Sequence, residues 1–170
     1  GAIGVEFVYF FNAFGTEVNL IEMMPRILPV EDAEVSELLG KSFKKQGINV
    51  LTGARVTELK VGDKGVRVSV EAAKKAAFES DICLVAIGVQ PALAKGTKGN
   101  LTDRGYVQVN DRYETSSAGI FAAGDIIGPP WLAHVASFEA TQAVEGMFHG
   151  KEPKRVKLFP GCTYCSPQVA

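Results

Sequence analysis

Gly1-Ala2-Ile3-Gly4-Val5-Glu6-Phe7, followed by Val18-Asn19-Leu20-Ile21-Glu22, is the stretch that decides the fold. Ile3, Phe7, Phe10, Phe11 and Phe14 recur at helical spacing, and Gly15 is placed to stop the helix. The apolar residues 18–21 then read as a short buried strand that ends at Glu22. Gly-x-x-Gly opening a helix, with an acidic residue at the end of the next strand, is a partial dinucleotide fingerprint. In that reading Gly1 lets the backbone approach a pyrophosphate and Gly4 lets the helix pack closely on the sheet. The helix N-terminus offers free N–H groups and a partial positive charge. Glu22 would accept from ribose hydroxyls and repel a 2′-phosphate, favouring NAD over NADP. The fingerprint's first glycine and preceding strand are not in the sequence, so a second reading, glycines that only ease helix packing, stays open. Both ends read as cuts through larger units, and the expectation is a fragment.

Working outward, Pro25 and Pro29 break the chain, and a helix is predicted from Asp32 to Gln46, acidic early and basic late, with Gly47 as its stop. Ile48 to Leu51 reads as the next strand. Helix, strand, helix, strand is the order of a parallel α/β sheet. Ala54–Val61, Gly65–Glu71 and Ala76–Glu79 alternate with period two around Gly62-Asp63-Lys64-Gly65, which predicts a β-meander with a solvent-facing side. The apolar run Asp81–Ile87 reads as a fully buried strand closing the unit at Gly88. Beyond Pro91 the chain loosens into loop, with short strands expected at Tyr106–Val109 and Gly119–Ala123, a helix at His134–Phe148 and a linker at 151–157.

Composition narrows the function. The 170 residues carry 18 basic and 19 acidic side chains for a net charge of −1, which argues against a sequence-independent nucleic-acid binder. Hydrophobic residues at 46% and charged residues at 22% describe a globular chain. No apolar run approaches the ~20 residues of a membrane span, and no secretory leader is visible. Three cysteines are too few and odd for a disulfide scaffold, so a reducing compartment is expected. Cys83 reads as core. Cys162-x-x-Cys165 lies beside Tyr164 and Pro167, which points to strand and turn rather than the helix N-terminus of a redox pair. His134 and His149 lack partners at metal-ligand spacing. The stripe Phe7, Phe10, Phe11, Phe14 reads as core or domain interface. Finally, Gly119-Ile120-Phe121-Ala122-Ala123-Gly124-Asp125 is a strand running into a small-residue turn that ends in an acid. Asp125 is then either a ligand acceptor at the carboxyl end of a strand or a cap for the turn that follows.

Gly-Ala-Ile-Gly-Val-Glu-Phe at 1–7, Leu-Val-Ala-Ile-Gly-Val-Gln-Pro at 84–91, Gly-Ile-Phe-Ala-Ala-Gly-Asp at 119–125 and Leu-Ala-His at 132–134 stand in an order and spacing that resembles the flavin-dependent pyridine-nucleotide disulfide oxidoreductases, in particular their dihydrolipoyl dehydrogenase branch. Residues 159–170 look like the opening of that family's dimer-interface domain. The resemblance implies an α/β fold, an FAD/NAD(P)-binding Rossmann-like domain of parallel sheet and β-meander with part of a second flavin-binding domain. Its divisions would be an NAD-binding domain lacking its first strand (1–91), the C-terminal part of an FAD-binding domain (92–150), and a linker with the start of the interface domain (151–170).

By the same resemblance Gly1, Ala2, Ile3, Gly4 and Glu6 line the NAD pyrophosphate and nicotinamide side. Glu22 holds the adenosine ribose, Val56 the adenine edge through its backbone, and Gly88 approaches the cofactor. Asp125 binds the ribityl chain of FAD, and Trp131, Leu132, Ala133 and His134 pass along the isoalloxazine. Where this chain has Trp131, Val135 and Phe138, the family often has Met and charged residues. The family's redox cysteine pair and His-Glu acid–base pair fall outside these residues, so no catalytic residue is assigned. The implied whole is an NAD-dependent homodimer in the cytoplasm, or the mitochondrial matrix if eukaryotic. It would serve the dihydrolipoyl group of a 2-oxo acid dehydrogenase complex or glycine cleavage system, with no nucleic acid or membrane partner. Other flavin disulfide or mercuric reductases, a transhydrogenase and a non-catalytic dinucleotide-binding module are the alternatives. The 170 residues alone are expected to lack NAD-linked dithiol oxidation, to retain no FAD tightly, and to pair exposed strands with another copy or a missing segment.

Overall fold

The computed structural model describes residues 1–155 and 157–170. Residue 156, within the expected linker, lies outside them. The chain divides into two compact units, one of Gly1–Ile87 with Cys162–Ala170 and one of Gly88–Gly161.

In the first unit, α1 (Ala2–Ala13) leads to β1 (Asn19–Ile21), α2 (Ala33–Lys45) and β2 (Asn49–Leu51). Asp32 caps α2 by accepting from the Glu34 N–H at 2.8 Å. At the other end Gly47, with φ of 86°, takes the left-handed turn that lets Ile48 N–H reach back to the Phe43 carbonyl at 3.1 Å. β1 and β2 pair in parallel with Asn19 opposite Asn49, and the two asparagine side chains reinforce that register with a 2.7 Å hydrogen bond. The core collects Val5 and Val8 of α1, Leu20, Ile27, Leu28, Leu39 and Phe43 of α2, Ile48, and Cys165 and Val169 from the end of the chain. Ser36 is buried with them because its Oγ accepts from the Leu28 N–H at 3.1 Å. Ser36→Ala is therefore expected to cost about 1–3 kcal/mol, the penalty for stranding a buried donor. Thermal melting checks this, and an unchanged transition would contradict it.

The expected meander is present as an antiparallel sheet of β3 (Arg55–Gly62), β4 (Gly65–Glu71) and β5 (Lys75–Ser80), in the order β3-β4-β5. β3 is exposed along its whole length, while Val68 and Val70 of β4 are buried with Ala54. Three expectations fail in this unit. Asp81–Ile87 forms no strand, and Ile87 is 93% exposed. An apolar run becomes a buried parallel strand only between ladder partners, and among the described residues β1 and β2 pair only with each other. Cys83 is accordingly half-buried at the margin of the meander cluster rather than core. Of the two readings of the phenylalanine stripe, core or domain interface, core fails: Phe7, Phe10, Phe11 and Phe14 are exposed and pack on one another, Phe10 tilted on Phe14 at 4.9 Å between centroids. Val5 and Val8 supply the inward face of α1.

In the second unit the short strands expected around 106–123 are single bridges, Leu101 with Val107, Val109 with Thr115, and Glu114 with Phe121. The segments are too short to form ladders, and side chains hold the loops instead: Asn110 Oδ1 accepts from the N–H groups of Arg112 and Glu114 at 2.9 and 3.0 Å. α3 (Ala133–His149) matches its expected position within one residue and ends at Gly150. Among the described residues no helix is long and apolar enough to cross a membrane.

Candidate functional site

In the first unit the site is the N-terminus of α1. Val5 N–H to the Gly1 carbonyl, at 3.0 Å, is the first helical hydrogen bond, so the Ala2, Ile3 and Gly4 N–H groups have no helical acceptors. The capping residue Gly1 supplies no side-chain hydrogen bond, and a Cβ built there would meet nothing within 4 Å. Glu22 stands beside this end. Its N–H donates to the Leu51 carbonyl at 2.9 Å and its carbonyl accepts from Ala54 at 3.0 Å, so the end of β2 fixes the residue on both sides. The Glu22 carboxylate, 19% exposed, accepts from Met24 N–H at 2.9 Å, and the terminal ammonium of Gly1 lies 3.0 Å from it. The structure thus brings together Gly1 and Glu22, which the sequence separates by a helix and a strand. It also corrects the reason given for Gly4. A Cβ there would sit 3.6 Å from the Ala86 methyl, an ordinary contact, so close packing does not demand glycine.

The Glu6 carboxylate is hydrogen-bonded within the first unit. Its Oε1 accepts from the Tyr164 N–H at 2.8 Å, tying the segment at 162–170 to α1. That segment is extended and bridged, Thr163 to Val169, and all three cysteines are free. Burial, with the Glu6 carboxylate and Cys162 adding to it, pushes the Cys165 thiol up to about 11. A thiol held neutral in this way is a core group, not a nucleophile. Val56 lies half-exposed in β3, an edge strand, beside an irregularity in pairing between Val56 and Glu58. Gly88 is exposed at the start of the second unit.

In the second unit Gly124–Ile127 forms a single 3-10 turn with Asp125 exposed in it. Among the described residues the Asp125 carboxylate has no hydrogen-bonding or ionic partner. Gly124 is buried, has φ of 77°, and a Cβ on it would come within 3.0 Å of the Ala136 methyl, so glycine is required. Its N–H donates to Glu139 Oε2 at 2.8 Å, a contact the sequence reading missed because no local pattern links residues on a turn and a later helix. Next to them lies Tyr113, fully buried, its hydroxyl without a partner among the described residues. Burial raises the pKa of this phenol, Glu139 acts in the same direction, and Arg155, 5.6 Å from the ring centroid, opposes them. Trp131 is half-exposed and tilted against Tyr106 at 6.4 Å, and Leu132 begins α3. His134 Nε2 lies 3.0 Å from the Pro160 carbonyl.

Comparison with known proteins shows the family. The family model described as pyridine nucleotide-disulphide oxidoreductase matches residues 1–140. The whole chain is 40% identical to a dihydrolipoyl dehydrogenase of Rhizobium etli and 42% identical to one of Chlorobaculum tepidum, and spans 37% and 38% of their lengths. Among solved structures, the HOCl-induced flavoprotein disulfide reductase RclA of Escherichia coli is similar over 99% of this chain and 39% of its own, with a TM-score of 0.86 at 26% identity. LpdA of Mycobacterium tuberculosis is similar over 99% of this chain and 37% of its own, with a TM-score of 0.85 and 26% identity. With a family match over residues 1–140 and dihydrolipoyl dehydrogenases of about 40% identity along its whole length, the chain belongs to the pyridine nucleotide-disulphide oxidoreductase family.

Proposed function

We propose that these residues are the nicotinamide-nucleotide site and part of the flavin site of an FAD-dependent dihydrolipoyl dehydrogenase that uses NAD. The observation that carries the reading is the uncapped start of α1 beside the Glu22 carboxylate. Free N–H groups there suit a pyrophosphate, open space at Gly1 admits one, and the acid next to them suits a diol. The dihydrolipoyl dehydrogenases of similar sequence support the substrate class, dihydrolipoyl groups on a partner complex. When bound, the flavin passes electron pairs between a dithiol–disulfide couple and the nicotinamide. The chain's own work is to bind and orient: α1 receives phosphates, Glu22 selects the ribose, Val56 meets the adenine, and Asp125 offers a free acceptor to the ribityl hydroxyls. Glu6 and Gly88 serve the nicotinamide side, and Trp131, Leu132, Ala133 and His134 the ring system. RclA, a flavoprotein disulfide reductase, favours a second reading in which the same binding frame serves another disulfide.

Titration of the full-length protein carrying these residues with NAD and NADP tests the reading. NAD is expected to bind more tightly. Glu22→Ala is expected to weaken NAD by about tenfold or more, since a charged acceptor contributes about 1.5–3 kcal/mol, and to narrow the difference from NADP. Tighter NADP binding with Glu22 intact would sink the assignment, and inactivity toward dihydrolipoamide with NAD would favour the second reading.

A further inference from the structure

We propose that Glu139 is a positioning residue for Asp125: through the Gly124 amide it fixes the turn that presents the Asp125 carboxylate to the hydroxyl-bearing chain of a flavin. The proposal rests on the flavin reading above and adds a residue to it. Two α3 side chains one turn apart grip the same glycine. Ala136 leaves no room for a side chain on Gly124, and Glu139 Oε2 takes its N–H at 2.8 Å. Gly124 is buried, so this donor has no water to fall back on. The next residue is Asp125, whose backbone carbonyl accepts from Gly128 N–H at 3.3 Å while its side chain stays exposed and unpaired among the described residues. The turn is therefore held by its backbone, from α3 at Gly124, from Gly128 at the Asp125 carbonyl and from the Val107 N–H at the Ile126 carbonyl, while among the described residues the Asp125 carboxylate has no partner.

A carboxylate is a costly choice for the grip. Glu139 is half-buried and lies near the buried Tyr113, whose pKa is raised by burial first and by Glu139 second, with Arg155 across the ring as the nearby opposing charge. An apolar residue would pack there without a desolvated charge. The charged acceptor shortens and strengthens the bond to Gly124, and so narrows the orientations open to Asp125. A polyol chain binds through several hydroxyls at once, and that gains from an acceptor fixed in place before the ligand arrives.

The test is a double-mutant cycle in the full-length, FAD-loaded protein, with Asp125→Ala, Glu139→Ala and the pair. FAD affinity is read by flavin fluorescence, and exchange at the Gly124 amide by hydrogen-exchange mass spectrometry. Each single variant is expected to weaken FAD about tenfold, while Glu139→Ala adds less than about twofold in the Asp125→Ala background. Glu139→Gln, which keeps an oxygen acceptor, should stay within about threefold of wild type and keep Gly124 protected, whereas Glu139→Ala speeds its exchange about tenfold or more. If Asp125→Ala leaves FAD affinity unchanged, the flavin reading of Asp125 fails and this proposal with it. If Asp125→Ala weakens FAD but Glu139→Ala does not, or if the two losses simply add, the positioning role alone is wrong. Should Glu139→Ala not fold, Glu139→Asp replaces it by withdrawing the carboxylate one methylene. Unchanged FAD affinity and unchanged Gly124 exchange in that variant overturn the proposal.

Discussion

Phe43→Ala is expected to lower unfolding stability by about 3–5 kcal/mol, the usual cost of emptying a fully buried aromatic site. Phe43 is 0% exposed on α2 and shares its cluster with Val5, Leu39 and Ile48. Its carbonyl also accepts the Ile48 and Gln46 N–H groups that close the helix, so the same residue anchors the turn into β2. The consequence reaches Glu22, in the proposed nucleotide site. Leu51 of β2 and Ala54 just after it hold Glu22 by its backbone, and a displaced α2–β2 turn would loosen that grip. Leu38→Ala on the exposed face of the same helix is the control, expected within about 0.5 kcal/mol of wild type. Denaturant unfolding monitored by circular dichroism decides, and a Phe43→Ala loss below about 1 kcal/mol would show the cavity collapsing without penalty.

The second large effect is chemical. With its thiol pushed up from 9.0 to about 11, Cys165 should be about a hundredfold poorer in thiolate than an unfolded cysteine at any pH below 9. Iodoacetamide at pH 8 should therefore modify Cys165 at least a hundredfold more slowly in the native protein than in urea, read by peptide mass spectrometry. Equal rates would mean that the segment at 162–170 leaves the core readily. The same shift fixes a pH dependence. The folded state holds the proton longer than the unfolded state, so the stabilisation is complete below pH 9. It is then lost as pH rises from about 9 to about 11. Cys165→Ser should flatten that decline.

How far the sequence could be read depended on the range of the forces involved. The caps and stops of α2, the meander turn and the end of α3 were legible because each is decided within a few residues: Asp32 bonds its own helix, and Gly47 turns where it stands. The uncapped start of α1 was legible for the same reason, since free N–H groups follow from a glycine at the helix start. The family was legible because four short motifs keep their order along the chain.

Burial was a different matter. Hydrophobicity alone made Asp81–Ile87 a buried strand and allowed the phenylalanine stripe as core or domain interface, yet the run is mostly exposed and the stripe lies outside the core, because burial belongs to whatever packs alongside and not to the side chain itself. The partners that fix functional groups were equally hidden. Glu139 meets Gly124, Tyr164 meets Glu6, and Ala54 and Leu51 pin Glu22, each across a stretch of chain with no local signal. The sequence by itself determined the three α-helices, the paired strands β1 and β2 and the meander, their order and the acids set at their ends. Only the tertiary structure decided which backbone donors those acids accept from, because a hydrogen bond forms between atoms that folding brings within 3 Å, whatever their separation along the chain.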